Sequence, residues 1–178
     1  MAAQASRRGG KTTSDEAIIA AAMKLAAERG WRDLSLVEIA REAGLPLSEV
    51  HARFSWKTCI LTALSKRADE AVMAEDDPEA AAEPARDRLF DVMMRRFDAL
   101  QPYREGVARV MHDLPRDPAS SAVVLLRTEC AMAAMLEAAG LSTDGLRGIA
   151  RVKALTAIYL ATLRTWRELE MRYGRMGE

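Results

Sequence analysis

Apolar residues recur every three or four positions along most of the chain, a spacing that places them on one face of an α-helix. A clear example is the stretch 87–101, which contains Leu89, Phe90, Met93, Met94, Phe97 and Leu100. No stretch shows the strict alternation of apolar and polar residues that is typical of a half-buried strand. The pattern predicts an all-α protein.

Capping residues, glycines and prolines divide this pattern into separate helices. A Ser or Thr followed three residues later by Glu forms a capping box, and this occurs at Thr13 and at Ser35. Gly30, Gly44 and Gly140 stand where helices are expected to end. The predicted helices span about 13–29, 36–43, 46–53, 56–74, 87–101, 103–114, 118–139 and 144–173.

Charge is unevenly distributed, although the formal net charge is zero. Residues 1–67 contain eleven Lys and Arg against seven Asp and Glu, a net charge of +4, whereas residues 68–91 contain nine acids and two arginines. This predicts a flexible basic arm over 1–12, a head over 13–67 that meets an anionic partner, and a helical body over 68–178. The arm, with Arg7, Arg8 and Lys11, either follows a nucleic-acid backbone or is a solvated tail.

Within the head, two short helices joined by a glycine turn indicate a helix-turn-helix. Ala40 lies where the helices cross and must be small, Gly44 lies where the turn needs a positive φ, and Val50 points back into the shared core. Three further apolar residues are expected to close this core: Ile39, Leu45 and Phe54.

Residues 15–65 resemble the DNA-binding head of the TetR/AcrR family of bacterial regulators. The resemblance is carried by Glu28-Arg29-Gly30-Trp31, Ser35, Ile39-Ala40-Arg41-Glu42-Ala43-Gly44, Phe54 and Ser55-Trp56-Lys57. It implies a dimeric all-α protein with a head that binds double-stranded operator DNA and a body that binds a ligand and dimerises. It also implies that Ser35 and Lys57 hold phosphates at the starts of the second and fourth helices, where helix N-termini suit anions.

The third helix departs from the usual pattern of that family. Pro46 offers no side-chain cap, Leu47 cannot bond a base edge, and Glu49 can accept from cytosine N4 but repels phosphate. His51 either contacts DNA or packs within the head. The candidate DNA contacts are Ser35, Pro46, Leu47, Ser48, Glu49, His51, Arg53 and Lys57.

The body resembles a second group, the TetR-derived lipid-binding accessory proteins of ubiquinone biosynthesis. The resemblance is carried by Leu100-Gln101-Pro102-Tyr103, Leu114-Pro115 and Ala157-Ile158-Tyr159-Leu160-Ala161-Thr162. It implies an alternative function, a lipid-binding accessory protein whose head does not bind DNA. Those proteins continue beyond the position of Trp166 into another amphipathic helix, so a truncated end is one interpretation of this sequence.

Apolar residues of the body either line a cavity for a small apolar or lipid-like ligand or fill a core and a dimer interface. The candidate lining residues are Met93, Met94, Phe97, Leu100, Met111, Met132, Met135, Leu136, Tyr159 and Trp166. The two long last helices, 118–139 and 144–173, are predicted to form the homodimer interface as a four-helix arrangement.

No metal-ligand spacing, phosphate-binding loop or catalytic constellation is recognisable, which predicts neither an enzyme nor a cofactor requirement. Cys59 and Cys130 form no CxxC pair, the N-terminus has no apolar core, and the apolar runs fall short of the roughly 20 residues that span a bilayer. The sequence therefore predicts a cytoplasmic, ligand-responsive DNA-binding regulator.

Overall fold

The computed structural model describes the backbone of residues 2–74 and 83–173 and the side chains of residues 14–74 and 83–165. Within these ranges the chain is helical and contains no strand, which confirms the all-α prediction. The helices are α1 (Ala2–Arg29), α2 (Leu36–Glu42), α3 (Leu47–Arg53), α4 (Lys57–Ala74), α5 (Ala85–Leu100), α6 (Arg104–Asp113), α7 (Pro118–Ala138) and α8 (Gly145–Tyr173).

The first helix differs most from its predicted bounds. Helix α1 begins at Ala2, so residues 2–12 have helical backbone instead of forming the expected flexible arm, and Thr13 lies inside the helix instead of capping it. Extending an existing helix fixes one residue for each hydrogen bond gained, and the Ala, Gln and Arg of this segment are good helix formers. These preferences outweigh the Gly9-Gly10 pair.

The predicted breaks elsewhere are confirmed. Gly30, Gly44 and Gly140 have φ values of 91°, 66° and 73°, the left-handed conformation that glycine adopts with least strain. Short 3₁₀ turns at Gln101–Tyr103 and Leu114–Arg116, each containing a proline, separate α5 from α6 and α6 from α7. The predicted joint 75–86 lies mostly outside the described residues, and α5 begins directly after its Pro84.

The head is built as its sequence indicated. Val50 and Ile39 are fully buried, and Ala40 and Phe54 are nearly so. Leu45 is half-buried and packs against this core. The side chain of Ser35 accepts a hydrogen bond from the backbone N–H of Glu38, and the Glu38 carboxylate accepts one from the backbone of Ser35, which completes the predicted capping box.

Head and body share one hydrophobic core. Helix α1 packs against α6, and α4 continues from the head into the body, where it packs against α5 and α7. At the contact of α1 with α6, a Cβ on Gly106 would lie 2.4 Å from the carbonyl oxygen of Met23. The two backbones are therefore close enough that only glycine fits.

Candidate DNA-binding face and body cavity

Helix α3 packs against the head core through one face and exposes the opposite face to solvent. Val50 anchors it in the head core, and the backbone N–H of the buried Phe54 closes its C-terminal end on the carbonyl of Val50. Pro46 occupies the N-cap and contributes no side-chain cap bond, as the sequence predicted. The exposed face of α3 consists of Leu47, Ser48, His51 and Ala52.

Glu49 and Arg53 are engaged with each other inside the head. Arg53 donates to Asp15 of α1 at 2.8 Å and to Glu49 at 3.3 Å, and only 17% of its side chain is exposed. The carboxylate of Glu49 thus lies against a guanidinium, which offsets its charge. Arg53 fixes the end of α3 to α1, so its predicted direct contact with DNA remains a prediction that requires part of this network to open.

Ser35 is exposed at the start of α2, the position expected for a phosphate contact. Its hydroxyl donates to Glu38 at 2.8 Å. The hydrogen bonds from the side chain and backbone of Ser35 lower the pKa of Glu38. The backbone N–H groups of the first turn face the same end of the helix, so Ser35 stays a predicted phosphate contact.

The ammonium group of Lys57 is hydrogen-bonded within the head, and its contact with a phosphate stays a prediction. Its Nζ donates to the backbone carbonyls of Trp31, Arg32 and Leu34 at 2.9, 2.6 and 3.1 Å, and lies 5.5 Å from the centre of the Trp31 ring. Partial burial lowers the pKa of Lys57. An ammonium group has three hydrogens, and here each has a carbonyl acceptor. In this structure Lys57 ties the loop between α1 and α2 to the start of α4.

The same loop is also bonded to the body. The backbone N–H of Trp31 donates to Oδ2 of Asp113 at 2.8 Å. Burial by itself raises the pKa of Asp113, but the hydrogen bonds from His112 and Trp31 and the charge of Arg109 outweigh it, so the pKa is lowered overall. A second bond across the boundary joins the hydroxyls of Thr58 and Ser120 at 3.2 Å.

A cavity of about 70 Å³ lies in the body between α4, α5, α6, α7 and α8, with Met23 of α1 at its wall. Three of the predicted lining residues border it, namely Leu100, Met111 and Tyr159. Most of the other residues along the wall are apolar: Leu61, Leu64, Val107, Val110, Val124 and Leu163.

The remaining candidates lie elsewhere. Met132, Met135 and Leu136 are buried in the packed interior, and Met93 and Phe97 are half-buried against it. Met94 is 43% exposed and does not border this cavity, so its part in ligand binding stays a prediction. Residues on one face of a helix share its apolar spacing whether they border a void or fill one, so spacing alone cannot separate the two. The side chain of Trp166 lies outside the described residues.

The last two helices keep large apolar side chains in solvent. On α7 these are Val123, Leu125 and Leu126, the last 65% exposed, and on α8 they are Leu146, Ile149 and Ile158, the last 63% exposed. Exposed apolar residues gathered on two helices indicate a candidate interaction surface.

Comparison with known proteins agrees with this architecture. Residues 18–64 match the family described as bacterial regulatory proteins, tetR family. The fold is similar to that of a TetR transcriptional regulator from Nitrosomonas europaea, with 25% sequence identity, coverage of 85% of this chain and 84% of that chain, and a TM-score of 0.65. The family match of the head and this similar fold support a TetR/AcrR family regulator. A TetR transcriptional regulator from Rhodococcus sp. RHA1 shares the fold at 18% identity, with coverage of 87% and 85% and a TM-score of 0.58.

The family match and the similar regulators support the predicted TetR-like DNA-binding regulator, and regulators of that family are not enzymes. No curated protein matches the chain. The resemblance of the body to ubiquinone accessory proteins is therefore not confirmed. Helix α7 is long and apolar enough to cross a membrane by length and composition. In this fold it packs against α4, α5 and α8, and a packed helix of a soluble protein passes the same test of length and composition.

The sequence analysis missed the charged residues that line the cavity of the body. Arg96 is 1% exposed and lines the cavity together with Arg127. One signal was available, because Arg96 stands four residues after Val92 and four before Leu100, both buried. An arginine at core spacing on an amphipathic helix indicates a buried charge with a partner.

Proposed function

We propose that this TetR-family protein is a cytoplasmic transcription regulator that binds operator DNA as a homodimer and responds to an apolar ligand in its body. The observation that carries the proposal is the geometry of α3. The helix is fixed by Val50 and Phe54 while Ser48 and His51 stand exposed on its outer face. A rigid helix with polar groups on its outer face can enter the major groove.

The chemistry of α3 favours a modest but specific reader. Ser48 and His51 have groups that bond base edges or phosphates, and Leu47 offers apolar contact to a thymine methyl group. Arg53 lies beside Glu49 and reduces the repulsion that the carboxylate would exert on phosphates. Backbone N–H groups at the start of α2, next to Ser35, add a contact that needs no positive side chain.

The exposed apolar residues of α7 and α8 support dimerisation through these two helices. Pairing of the two copies would bury Leu126 and Ile158, which are otherwise largely in water. A two-fold dimer presents two copies of α3, so the operator should be a palindrome with half-sites about one helical turn apart.

Contacts between α1 and α6 support a route from ligand to head. Met23 belongs to the head helix α1 but forms part of the cavity wall. Its backbone lies against Gly106, and the loop after α1 is bonded to Asp113 at the end of α6. A ligand that moves α6 must therefore also shift α1, which would change the spacing of the two α3 helices.

DNA binding is tested by fluorescence anisotropy, with labelled DNA from upstream of the gene that encodes the protein and a shuffled sequence as competitor. We expect specific binding that falls steeply as salt rises, because phosphate contacts release counterions. A protein that binds neither DNA even at low salt would overturn the proposal and favour a silent head.

Variants of the outer face of α3 separate reading from folding. Ser48→Ala and His51→Ala should each weaken specific binding by about five- to 100-fold, the range for loss of one good base contact. Ser142→Ala, in the loop between α7 and α8, is the matched control and should bind as wild type. Equal affinity of all three variants for the operator would show that α3 does not read DNA.

A further inference from the structure

Two arginines in the body cavity share a single carboxylate. Asp69 of α4 accepts a hydrogen bond from Nη1 of Arg96 on α5 and from Nη2 of Arg127 on α7, one at each carboxylate oxygen. The Asp69 side chain is 13% exposed and that of Arg96 is 2% exposed. The three side chains together carry a net charge of +1 in a largely apolar enclosure.

Arg96 has its hydrogen-bonding groups well satisfied. Besides Asp69, it donates from Nη2 to the hydroxyl of Ser65 at 3.0 Å and from Nε to the hydroxyl of Tyr159 at 3.2 Å. Its guanidinium also lies 5.3 Å from the centre of the Tyr159 ring. Arg96 is thus a fixed positive charge at the inner wall of the cavity.

Arg127 is the incompletely satisfied member of the group. Its Nε is buried and has no hydrogen-bond partner among the described residues. Its side chain keeps 28% of its surface exposed, and it borders the cavity. A buried donor without an acceptor is unfavourable, so a small movement of this side chain that brings Nε to an anion in the cavity would be favoured.

We propose that the cavity binds a carboxylic acid with an apolar body, and that the ligand carboxylate is held by Arg127 with Arg96 behind it. The proposal rests on the proposed function only in treating this cavity as the effector site. Among the described residues that line the cavity, the charged ones are Arg96 and Arg127, and both are cations. Asp69 balances one of them, which leaves a single positive charge for the ligand to neutralise.

The surplus of one charge favours a carboxylate over a phosphate monoester, which carries more than one negative charge at neutral pH. The planar guanidinium of arginine matches the two oxygens of a carboxylate. The apolar wall residues, such as Leu61, Val107 and Val124, suit an uncharged hydrocarbon body.

The size of the cavity adds a mechanical consequence. The cavity is small, about 70 Å³, so a ligand with a long hydrocarbon chain is expected to displace side chains of the wall. Met23 and Met111 border it, and methionine adapts its shape more readily than branched side chains. Because Met23 belongs to α1, expansion of the cavity acts directly on the head.

Isothermal titration calorimetry with octanoate, octanol and octyl phosphate tests the proposal on the full chain. Octanoate and octanol have the same number of carbon atoms, and only octanoate has an anionic group. We expect octanoate to bind about tenfold or more tightly than octanol, because a charge-assisted hydrogen bond to a buried guanidinium is lost with the alcohol. Octyl phosphate should bind more weakly than octanoate.

The variant Arg127→Gln tests whether octanoate binds at this site. It should weaken octanoate binding about tenfold or more and leave octanol binding unchanged, since only the acid uses the guanidinium. Arg116→Gln, at an exposed arginine outside the cavity, is the matched control. Circular dichroism and thermal unfolding of each variant show whether it remains folded, and Arg127→Lys, which retains the charge, should restore part of the affinity.

Equal affinities for octanoate and octanol, binding to neither, or an Arg127→Gln variant with unaltered octanoate affinity would each overturn the proposal. Tighter binding of octyl phosphate would overturn the carboxylate assignment. These outcomes are distinct from failure of the proposed function. A protein that binds its operator but no octanoate loses only this inference, whereas one that binds octanoate but no DNA loses the proposed regulator function.

Discussion

At the scale of single residues, the neighbours of a charged side chain decide its role more than its place in a motif does. Lys57 stands where a phosphate contact is expected, yet its ammonium group is occupied by the carbonyls of Trp31, Arg32 and Leu34. Glu49 stands on α3, the helix predicted to face DNA, yet Arg53 lies against it. Both residues make contacts that stabilise the head.

Lys57→Met is predicted to lower the free energy of unfolding by about 2 kcal/mol, because it leaves backbone carbonyls without a donor. Lys66→Met, at an exposed lysine on the same helix, should change it by less than about 0.5 kcal/mol. Urea unfolding followed by circular dichroism measures both. Unchanged stability together with a weaker salt dependence of DNA binding would instead restore Lys57 as a phosphate contact.

Asp113 gives a pH-dependent contribution to stability. Its pKa is lowered in the folded protein, so the carboxyl group binds protons more readily in the unfolded chain than in the folded one. Its stabilisation is therefore fully present above the unfolded pKa of about 4 and is lost as the pH falls through the folded value.

Asp113→Asn should lower the free energy of unfolding at neutral pH, and its difference from wild type should narrow as the pH falls below about 4. Urea unfolding at a series of pH values measures this difference, with Asp91→Asn, at an exposed aspartate of α5, as the control. A difference in unfolding free energy that stays constant as the pH falls would mean that the charge of Asp113 does not strengthen its hydrogen bond with Trp31.

At the scale of the elements, the approach of α1 to α6 determines where the head sits on the body. Gly106 permits this approach, since a Cβ there would overlap the backbone of Met23. The bond between Trp31 and Asp113 fixes the end of the same contact. The two helices therefore act as one joint between ligand cavity and head.

Gly106→Ala should destabilise the protein by about 2 to 3 kcal/mol, because the added methyl group meets backbone that cannot move aside easily. The sign of the change in unfolding free energy is informative, since a Gly-to-Ala change at an uncrowded helix position stabilises a protein by about 0.5–1 kcal/mol. Thermal and urea unfolding give the sign directly. A stabilised variant would show that α1 and α6 separate freely and would remove the basis for coupling through this contact.

At the scale of the whole molecule, a single chain leaves apolar surface on α7 and α8 uncovered. Leu126 and Ile158 are 65% and 63% exposed, and they lie on the two helices predicted to pair. In the proposed homodimer, pairing of these helices would also set the distance between the two copies of α3.

The double variant Leu126→Glu, Ile158→Glu is predicted to be a folded monomer, because charges at the centre of an apolar interface have no partners there. Size-exclusion chromatography with light scattering gives the mass, and anisotropy should show loss of operator binding. Phe90→Glu, at an equally exposed apolar residue on α5, is the matched control and should remain dimeric. A dimeric double variant would place the interface elsewhere.

The sequence by itself determined the helical fold, most helix ends and the core of the head, because these depend on local spacing, caps and glycine conformations. Residues such as Ala40, Gly44 and Val50 carry that information in their size and backbone freedom. The extent of α1 was not predictable from its glycines, since growth from a stable helix outweighed them.

Only the tertiary structure decided which charges meet. Asp69, Arg96 and Arg127 lie on three different helices, and nothing in their sequence separation indicates one cluster. Sequence separation likewise does not indicate that Lys57 donates to the carbonyls of the loop after α1. It does not indicate the bond between Asp113 and Trp31 either, which are 82 positions apart. Helical periodicity specifies the face of a residue on its own helix, whereas the packing of helices specifies its partner, and in this protein the partners determine the chemistry of the site.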